Sequence, residues 1–310
     1  MATEQKTRLD PVTFSILSSA FVNLVDEMVS TVRRSCLSFA IFNGDFSGGM
    51  MDAQGNLVAQ GTRDVSVHVG TLEPSTKSVI EDFPQEQMKP GDVFMYNDPY
   101  RGGTHLPDLT FFKPIFCERA VVAFVCVKGH WLDVGGNVPG SMDPFATEIF
   151  QEGQDVPPVK VIEEGKPRHD VINKLMSNIR VPLESGGDMW SQIEGANTGE
   201  KRLLELFEKY GSDTVLTAMQ ESINHTERLV IAEVLKCLEG TWEGEDFIDL
   251  DPKFPERGPV PIRVKLTIQH EPPKLIFDVT ESGPPTHSAM NATKSSSHGA
   301  IVAGSKHIFP

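Results

Sequence analysis

The sequence predicts an α+β protein, with mixed or antiparallel sheets whose hairpins pack against helices, plus a helical segment and a C-terminal β layer. Three observations predict this class. Apolar residues recur at helical spacing directly after Asp10-Pro11. Two apolar runs, 109–116 and 120–127, are separated by three residues, which is a hairpin length. From Gly240 onward, apolar and polar residues alternate with the period of a strand.

The first predicted element is a helix that begins at Pro11. Aspartate at the N-cap and proline at the first helical position form a good start signal. The apolar residues that follow keep a helical spacing: Phe14, Leu17, Phe21, Leu24, Val25, Met28 and Val32. We therefore expect an amphipathic helix that packs on the core.

The next segment predicts short strands and one helix. Residues 38–59 suggest strands around turns, with a hairpin turn at 52–56. His68 lies in Val-His-Val, an alternation that predicts a strand with the imidazole on one face. A short helix over 72–83 and a strand at 93–96 follow.

Three segments divide the chain: an α+β core over 1–195, a helical segment over 196–239 and a β-rich segment over 240–310. Within the core, 181–195 reads as a loop because it holds Pro182 and Gly186-Gly187. The other expected elements beyond residue 142 are helices at 170–179, 199–210 and 214–238 and strands at 241–250, 261–269 and 274–280.

Composition excludes some classes of partner. A formal net charge of -15 over 310 residues argues against a nucleic-acid partner, because phosphates repel such a surface. Four cysteines without CxxC spacing fit a reducing compartment, so we expect a cytoplasmic protein. The N-terminus lacks the apolar core of a signal peptide, and no run approaches the roughly 20 apolar residues of a membrane span.

The pattern His-x-x-Asp occurs twice, as His105–Asp108 and as His130–Asp133, and a glycine pair lies beside each copy. Pro107 makes the first copy a turn, since proline lacks an N–H and fixes φ. The hairpin between the copies should return Asp108 and His130 to the same end of the sheet. A cluster of two imidazoles and one or two carboxylates is therefore expected.

Such a ligand set suits Mn, Fe(II) or Zn without choosing among them. Asp98 and Asp133 could orient a ligand histidine through its second nitrogen. A competing interpretation remains open, because a single His-x-x-Asp is more often a surface or capping pair.

Longer strings carry a resemblance. NDPYRGGTHLPD, GHWLDVGG, PGSM and EGQDVPPVK, together with Asp45-Phe-Ser, the run 52–60, His68-Val-Gly and Gly240-Thr-Trp, resemble the hydantoinase B family. That family includes the B subunit of ATP-dependent N-methylhydantoinases, the C-terminal part of 5-oxoprolinases, caprolactamase-type subunits and subunits of acetone and acetophenone carboxylases. The resemblance covers nearly the whole chain.

The resemblance implies a divalent-metal site at His105, Asp108 and His130, with Asp45 as a further candidate ligand. Asp133 and His68 become candidates for moving a proton, and Asp98 is a third candidate catalytic residue.

The resemblance also implies a hetero-oligomer in which a hydantoinase A-like partner binds ATP. The chain itself contains no Gly-x-x-x-x-Gly-Lys-Ser/Thr motif. Two reactions stay open: hydrolysis of a cyclic amide (hydantoin, oxoproline or lactam) and carboxylation of a ketone. Trp131, Phe111 and Phe112 hint at an apolar substrate. The alternative is a non-catalytic scaffold or assembly subunit.

In the family, the region resembling Met290–Ala292 is followed by a helix and then by a long further segment. We therefore expect this chain to be an N-terminal portion of a longer subunit or one half of a split subunit.

Overall fold

A computed structural model describes residues 9–308 and confirms the predicted α+β class. The helices in this range are α1 (Pro11–Ser35), α2 (Phe39–Asn43), α3 (Ser66–Asp82), α4 (His169–Met176), α5 (Pro182–Tyr210), α6 (Ser212–Val234) and α7 (Lys294–Ile308). The strands are β1 (Phe46–Asp52), β2 (Leu57–Gln60), β3 (Val93–Tyr96), β4 (Asp108–Cys117), β5 (Ala120–His130), β6 (Val159–Glu163), β7 (Lys166–Pro167), β8 (Gly240–Ile248), β9 (Val260–His270) and β10 (Pro273–Asp278).

A seven-stranded antiparallel sheet with the order β2-β1-β5-β4-β3-β6-β7 forms the centre of the molecule. The predicted hairpin forms as β4 and β5 and lies in the middle of this sheet. Its register places Asp108 opposite His130. The β1–β2 hairpin also forms as predicted, around the turn at 53–56.

Two apolar layers bury the faces of this sheet. On one face, α1 and α5 pack against strand residues such as Phe111 and Val125. On the other face, Leu72 and Val79 of α3 pack against aromatic strand residues that include Phe124. Removing this apolar surface from water on both faces supplies the main driving force for the fold.

Helix α1 begins as predicted, since the Asp10 carboxylate accepts the backbone N–H of Thr13 at 2.9 Å. By length and composition alone α1 could span a membrane, so the expectation that no segment approaches a span was too strict. The core helix of a soluble protein passes the same test. Six apolar residues of α1 are buried in the protein: Leu17, Phe21, Leu24, Val25, Met28 and Val32.

The predicted loop at 181–195 is wrong, because the residues from Pro182 onward form the first half of α5. Gly195 permits close packing, because a Cβ there would lie 2.5 Å from Val32 Cγ2 of α1. Tertiary packing thus overrides the low helix propensity of glycine. Helix α5 runs through residue 195, where the first segment boundary was placed, and the three-segment division stays a prediction.

The strand predicted around His68 is also wrong, because His68 lies in the first turn of α3. A helix places residues three and four apart on one face. His68, Thr71 and Leu72 are consequently buried together against the sheet.

The C-terminal β layer is present as β8, β9 and β10, in the spatial order β10-β9-β8. Helix α7 lies against α3 rather than against this layer. Small residues permit the approach, since a Cβ at Gly299 would lie 2.4 Å from the Val67 carbonyl oxygen.

Candidate metal centre

The candidate site lies where β1, β5 and β4 end side by side. Lys128 of β5 is opposite both Ser47 of β1 and Thr110 of β4, and the next row pairs His130 with Asp108. Because alternate strand residues face the same side, all five side chains face α3. A polar patch therefore continues the apolar layer under α3.

Asp108 is the centre of this patch. Its side chain is 2% exposed, and Oδ1 lies 3.3 Å from His130 Nδ1 and 3.5 Å from His105 Nδ1. The other oxygen, Oδ2, accepts the Thr104 hydroxyl and lies 3.2 Å from His68 Nε2. One carboxylate oxygen thus faces two imidazoles, and the other oxygen is fixed by Thr104 and His68.

The turn before β4 positions His105. The Asp108 backbone N–H donates to the His105 carbonyl at 3.1 Å, and the Trp131 N–H donates to the Pro107 carbonyl at 2.9 Å. The rings of His105 and His130 meet edge to face, with centroids 5.0 Å apart. The Nδ1 atom of His105 is buried and has no hydrogen-bond partner among the described residues.

This arrangement fits a divalent cation. One ligand atom from each of His105, Asp108 and His130 lies within 4.8 Å of the other two. Bonds of about 2.1 Å to a shared ion separate ligand atoms by roughly 3–4 Å, and the distances from Asp108 Oδ1 to the two imidazole nitrogens fall in that range. A buried imidazole nitrogen without a partner costs free energy, and coordination would satisfy it. Mn, Zn and Fe(II) all suit this donor set.

Asp45 lies at the edge of the cluster. It follows Gly44, whose φ of 109° ends α2, and its side chain is 47% exposed. Its carboxylate lies 4.0 Å from both His130 Nδ1 and His68 Nε2, and its carbonyl accepts the His130 N–H at 3.0 Å. The backbone of Asp45 is therefore fixed beside His130 while its carboxylate remains accessible.

His68 lies behind Asp108. Its side chain is 4% exposed, and Nδ1 lies 3.2 Å from the Ser47 hydroxyl oxygen. With Nε2 beside Asp108 Oδ2, both ring nitrogens have polar partners. This position suits orientation of the carboxylate.

Asp133 makes its hydrogen bonds with the glycine-rich loop that follows it and with Arg180, away from the cluster. Oδ1 accepts the N–H groups of Gly135 at 2.9 Å and Arg180 at 3.1 Å, and Oδ2 accepts from Gly140 at 3.0 Å and from the Arg180 guanidinium at 2.9 Å. Burial raises the pKa of Asp133, but the Arg180 and Gly135 hydrogen bonds hold it below its ordinary value. These bonds fix the glycine-rich loop after His130.

Asp98 caps a short 3₁₀ turn, Pro99–Arg101. Its side chain accepts the Tyr100 N–H at 2.8 Å, and its carbonyl accepts from Gly103 at 3.0 Å. Among the described residues, the structure brings neither Asp98 nor Asp133 into hydrogen-bond contact with the cluster. Their catalytic assignments stay predictions.

The electrostatics favour an ionised Asp108. Burial alone would raise its pKa, but hydrogen bonds with His130 and His68 hold the pKa well below its usual value. Burial lowers the pKa of His130, and the Asp108 carboxylate outweighs this and raises it. The cluster therefore keeps a carboxylate available as an anionic ligand at neutral pH.

Lys128 is a functional candidate that the sequence analysis missed. The side chain is fully buried, and its ammonium donates to the Thr71 hydroxyl at 2.6 Å. Burial lowers the pKa of Lys128 to about 8, against the opposing attraction of Asp108. Its position two residues before His130 in a strand could have revealed it, since such residues share a face.

A cavity of about 390 Å³ opens at the cluster and is lined by Phe39, Ala40, Asn43, Asp45, His130 and Leu132. Phe39 is 68% exposed and supplies an apolar wall. Trp131, Phe111 and Phe112 are 0% exposed core residues, so the apolar substrate inferred from them loses its basis.

Comparisons with known proteins find similar sequences over most of the chain. The family model described as "Hydantoinase B/oxoprolinase" matches residues 10–310. The caprolactamase subunit beta of Pseudomonas jessenii is 33% identical over 243 residues, which is 78% of this chain and 41% of that protein.

Two solved structures share the fold. The ATP-dependent caprolactamase of Pseudomonas jessenii has a TM-score of 0.86 and 28% identity, over 95% of this chain and 50% of that one. A nucleotide-free acetone carboxylase also has a TM-score of 0.86, at 20% identity, over 94% of this chain and 40% of that one. At this lower identity the likeness shows the fold alone. The chain spans about half, or less, of the length of these proteins.

Proposed function

The chain belongs to the hydantoinase B/oxoprolinase family, and from that premise we propose that it supplies the metal-binding part of an ATP-dependent enzyme subunit. The convergence of His105, Asp108 and His130 carries this proposal. When bound, the ion supplies Lewis acidity toward a carbonyl oxygen and lowers the pKa of a coordinated water.

The protein's own residues would act around that centre. Asp108 supplies the negative charge, while Thr104 and His68 fix its second oxygen. Asp45 is the accessible carboxylate on the cavity wall, within 4.0 Å of His130, and is placed either to complete the ligand set or to take a proton from a water in the cavity. His68, enclosed by Ser47 and Asp108, would orient the ligand carboxylate.

A partner would supply the nucleotide chemistry. The similar caprolactamase protein is named as a beta subunit, which supports a hetero-oligomer for this chain. We propose that a hydantoinase A-like subunit binds ATP and activates the substrate oxygen. The chain's own centre would then act on the activated compound. A scaffold subunit with an idle cluster is the alternative.

Hydrolysis of a cyclic amide is the reaction that we favour over ketone carboxylation. The supporting observation is the greater identity to the caprolactamase, 28% for the structure, than to the acetone carboxylase, 20%. The cavity is compatible with a small ring, because Phe39 and Leu132 offer apolar walls beside the polar His130 and Asp45.

Metal analysis and reconstitution test the proposal together. We expect about one divalent ion per chain in the purified protein, lost in His105→Ala and retained in His169→Ala, which changes an exposed histidine outside the cluster. With the partner subunit, ATP-dependent turnover of a lactam or hydantoin should require His105 and should not require bicarbonate.

Other outcomes would change the assignment. Turnover of a ketone that requires bicarbonate would replace hydrolysis with carboxylation. The absence of bound metal in the wild-type protein, under conditions in which the partner complex turns over substrate, would contradict the metal-binding role.

A further inference from the structure

The buried polar side chains of helix α5 include those of Asp188 and Gln192, whose function is not explained by core packing. Asp188 and Gln192 are one turn apart and 0% exposed. They lie on the sheet face opposite the metal cluster, among apolar neighbours such as Met189 and Ile193. Burying polar groups costs free energy unless they are hydrogen-bonded, so the hydrogen-bond partners of these two side chains indicate their role.

Gln192 is hydrogen-bonded to both strands that carry candidate ligands. Its Nε2 donates to the carbonyls of Leu109 at 3.0 Å and Val127 at 3.3 Å. Its Oε1 accepts the indole N–H of Trp131 at 2.8 Å. Leu109 directly follows Asp108, and Trp131 directly follows His130. A single side chain therefore contacts the residues adjoining two candidate ligands.

Gly129 makes this contact possible. A Cβ at Gly129 would lie 2.9 Å from Gln192 Nε2 and 2.9 Å from Ile41 Cδ1. Only glycine leaves room for the amide to reach the strands at this point. Gly129 directly precedes His130, so the space for Gln192 adjoins the ligand itself.

Asp188 holds the segment that leads to Asp45. Its Oδ1 accepts the backbone N–H groups of Leu37 at 2.8 Å and Ser38 at 3.0 Å. Ser38 caps α2, and the chain passes from α2 through Gly44 to Asp45. Asp188 thereby fixes the start of the cavity wall that ends at Asp45.

We propose that Asp188 and Gln192 are positioning residues for the metal centre. From one helix they set the relative placement of the three segments that carry Asp45, Asp108 and His130. This inference rests on the proposed metal site. Packing alone would be served as well by two apolar side chains of similar volume, which would avoid the desolvation cost.

The test measures Mn²⁺ affinity of the 310-residue chain by competition with a chelator, together with the EPR spectrum of the bound ion. We expect Gln192→Met and Asp188→Leu each to weaken Mn²⁺ binding at least tenfold and to broaden or shift the spectrum. Asp188→Asn keeps an acceptor oxygen for Leu37 and Ser38, so it should restore near-wild-type affinity.

The control is Leu203→Ala, a fully buried position farther along α5. It should lower the melting temperature while leaving Mn²⁺ affinity within twofold. Gln192→Glu is a second, more conservative variant that retains an acceptor for Trp131 and loses the donor to the two carbonyls. It too should weaken binding.

The proposal is overturned if folded Gln192→Met and Gln192→Glu bind Mn²⁺ as tightly as the wild type. It is also overturned if Leu203→Ala loses as much affinity as they do, because the effect would then be general destabilisation. Failure of the wild-type chain itself to bind Mn²⁺, Zn²⁺ or Fe²⁺ would instead contradict the proposed function.

Discussion

At the scale of single residues, Asp108 is the central residue of the candidate site, in contact with the other side chains of the cluster. Its two oxygens face different groups: Oδ1 faces the imidazoles of His105 and His130, and Oδ2 is held by Thr104 and His68. An ionised, oriented carboxylate beside two imidazoles is a ligand set that suits a divalent cation. The geometry therefore leaves the anionic charge of Asp108 available to a bound ion.

Asp108→Asn tests this role with little change in volume. The amide cannot supply an anionic ligand, so we expect divalent-metal affinity to fall at least 100-fold. Metal content after dialysis, measured by mass spectrometry, reports the loss. Asp170→Asn, at an exposed carboxylate, should keep its metal, and a fully loaded Asp108→Asn protein would refute the role.

Lys128→Met tests the buried charge beneath the cluster. Burial lowers the pKa of Lys128 to about 8, from an ordinary value near 10.5. Between these two pH values the unfolded chain therefore binds more protons than the folded protein. The buried ammonium therefore destabilises the wild-type protein to its full extent below pH 8, and this destabilisation decreases as the pH rises.

We expect metal-free Lys128→Met to be more stable than the wild type at pH 7, by on the order of 2 kcal/mol. The difference should shrink as pH approaches 10. Denaturant unfolding at several pH values measures it. A loss of stability at pH 7 would mean that the interactions with Asp108 and Thr71 outweigh the cost of burial.

The residues of the site were only partly accessible from the sequence. Proline in a turn and a three-residue hairpin loop were enough to bring Asp108 and His130 together. Lys128 could have been placed from strand alternation. Asp188 and Gln192 could not, because the composition of their segment predicts a loop and their partners are distant in sequence.

At the scale of elements, the contact between α1 and α5 determines whether α5 can pack against the sheet. Gly195 and Gly199 face Val32 and Met28 of α1 at distances that leave no room for a side chain. Pro182 and Gly186-Gly187, earlier in the same helix, give the segment the composition of a loop. Propensity is a local property, whereas the space that a helix needs is set by its neighbour, so this part of the fold could not be derived locally.

Gly195→Ala should destabilise the protein by about 1–3 kcal/mol, because its Cβ would lie 2.5 Å from Val32 Cγ2 and force the helices apart. Gly186→Ala is the matched control in the same helix, since a Cβ there meets nothing within 4 Å. It should be neutral or stabilising by up to about 1 kcal/mol. Equal effects in chemical denaturation would contradict the packing argument.

Helix α3 shows why short alternating sequences mislead. Val-His-Val has the period of a strand, yet the helix places His68 against Asp108 and Thr71 against Lys128. Strands β4 and β5 of the central sheet were easier to predict, because long apolar runs bounded by turns have few alternative structures.

At the scale of the whole molecule, the ligands come from separate parts of the chain that the fold unites. Asp45 follows α2, His105 lies in a turn, and Asp108 and His130 are paired strand residues. An ion bound to all of these segments would bind the folded state and not the unfolded chain. Metal binding should therefore stabilise the entire fold.

Thermal unfolding with and without metal tests this linkage. At a free-ion concentration 100 times the dissociation constant, the gain is about 2.7 kcal/mol, which should raise the melting temperature by several degrees. His105→Ala should show a much smaller rise. An equal rise in both proteins would indicate that the stabilising ion binds elsewhere.

The central claim is that His105, Asp108 and His130 share one divalent cation. Anomalous diffraction at the absorption edge of Mn or Zn, from crystals grown with that metal, tests it most directly. We expect one strong anomalous peak at about 2.0–2.3 Å from a ligand atom of each of these three residues. A fully occupied anomalous peak elsewhere, with none among the three side chains, would contradict the claim.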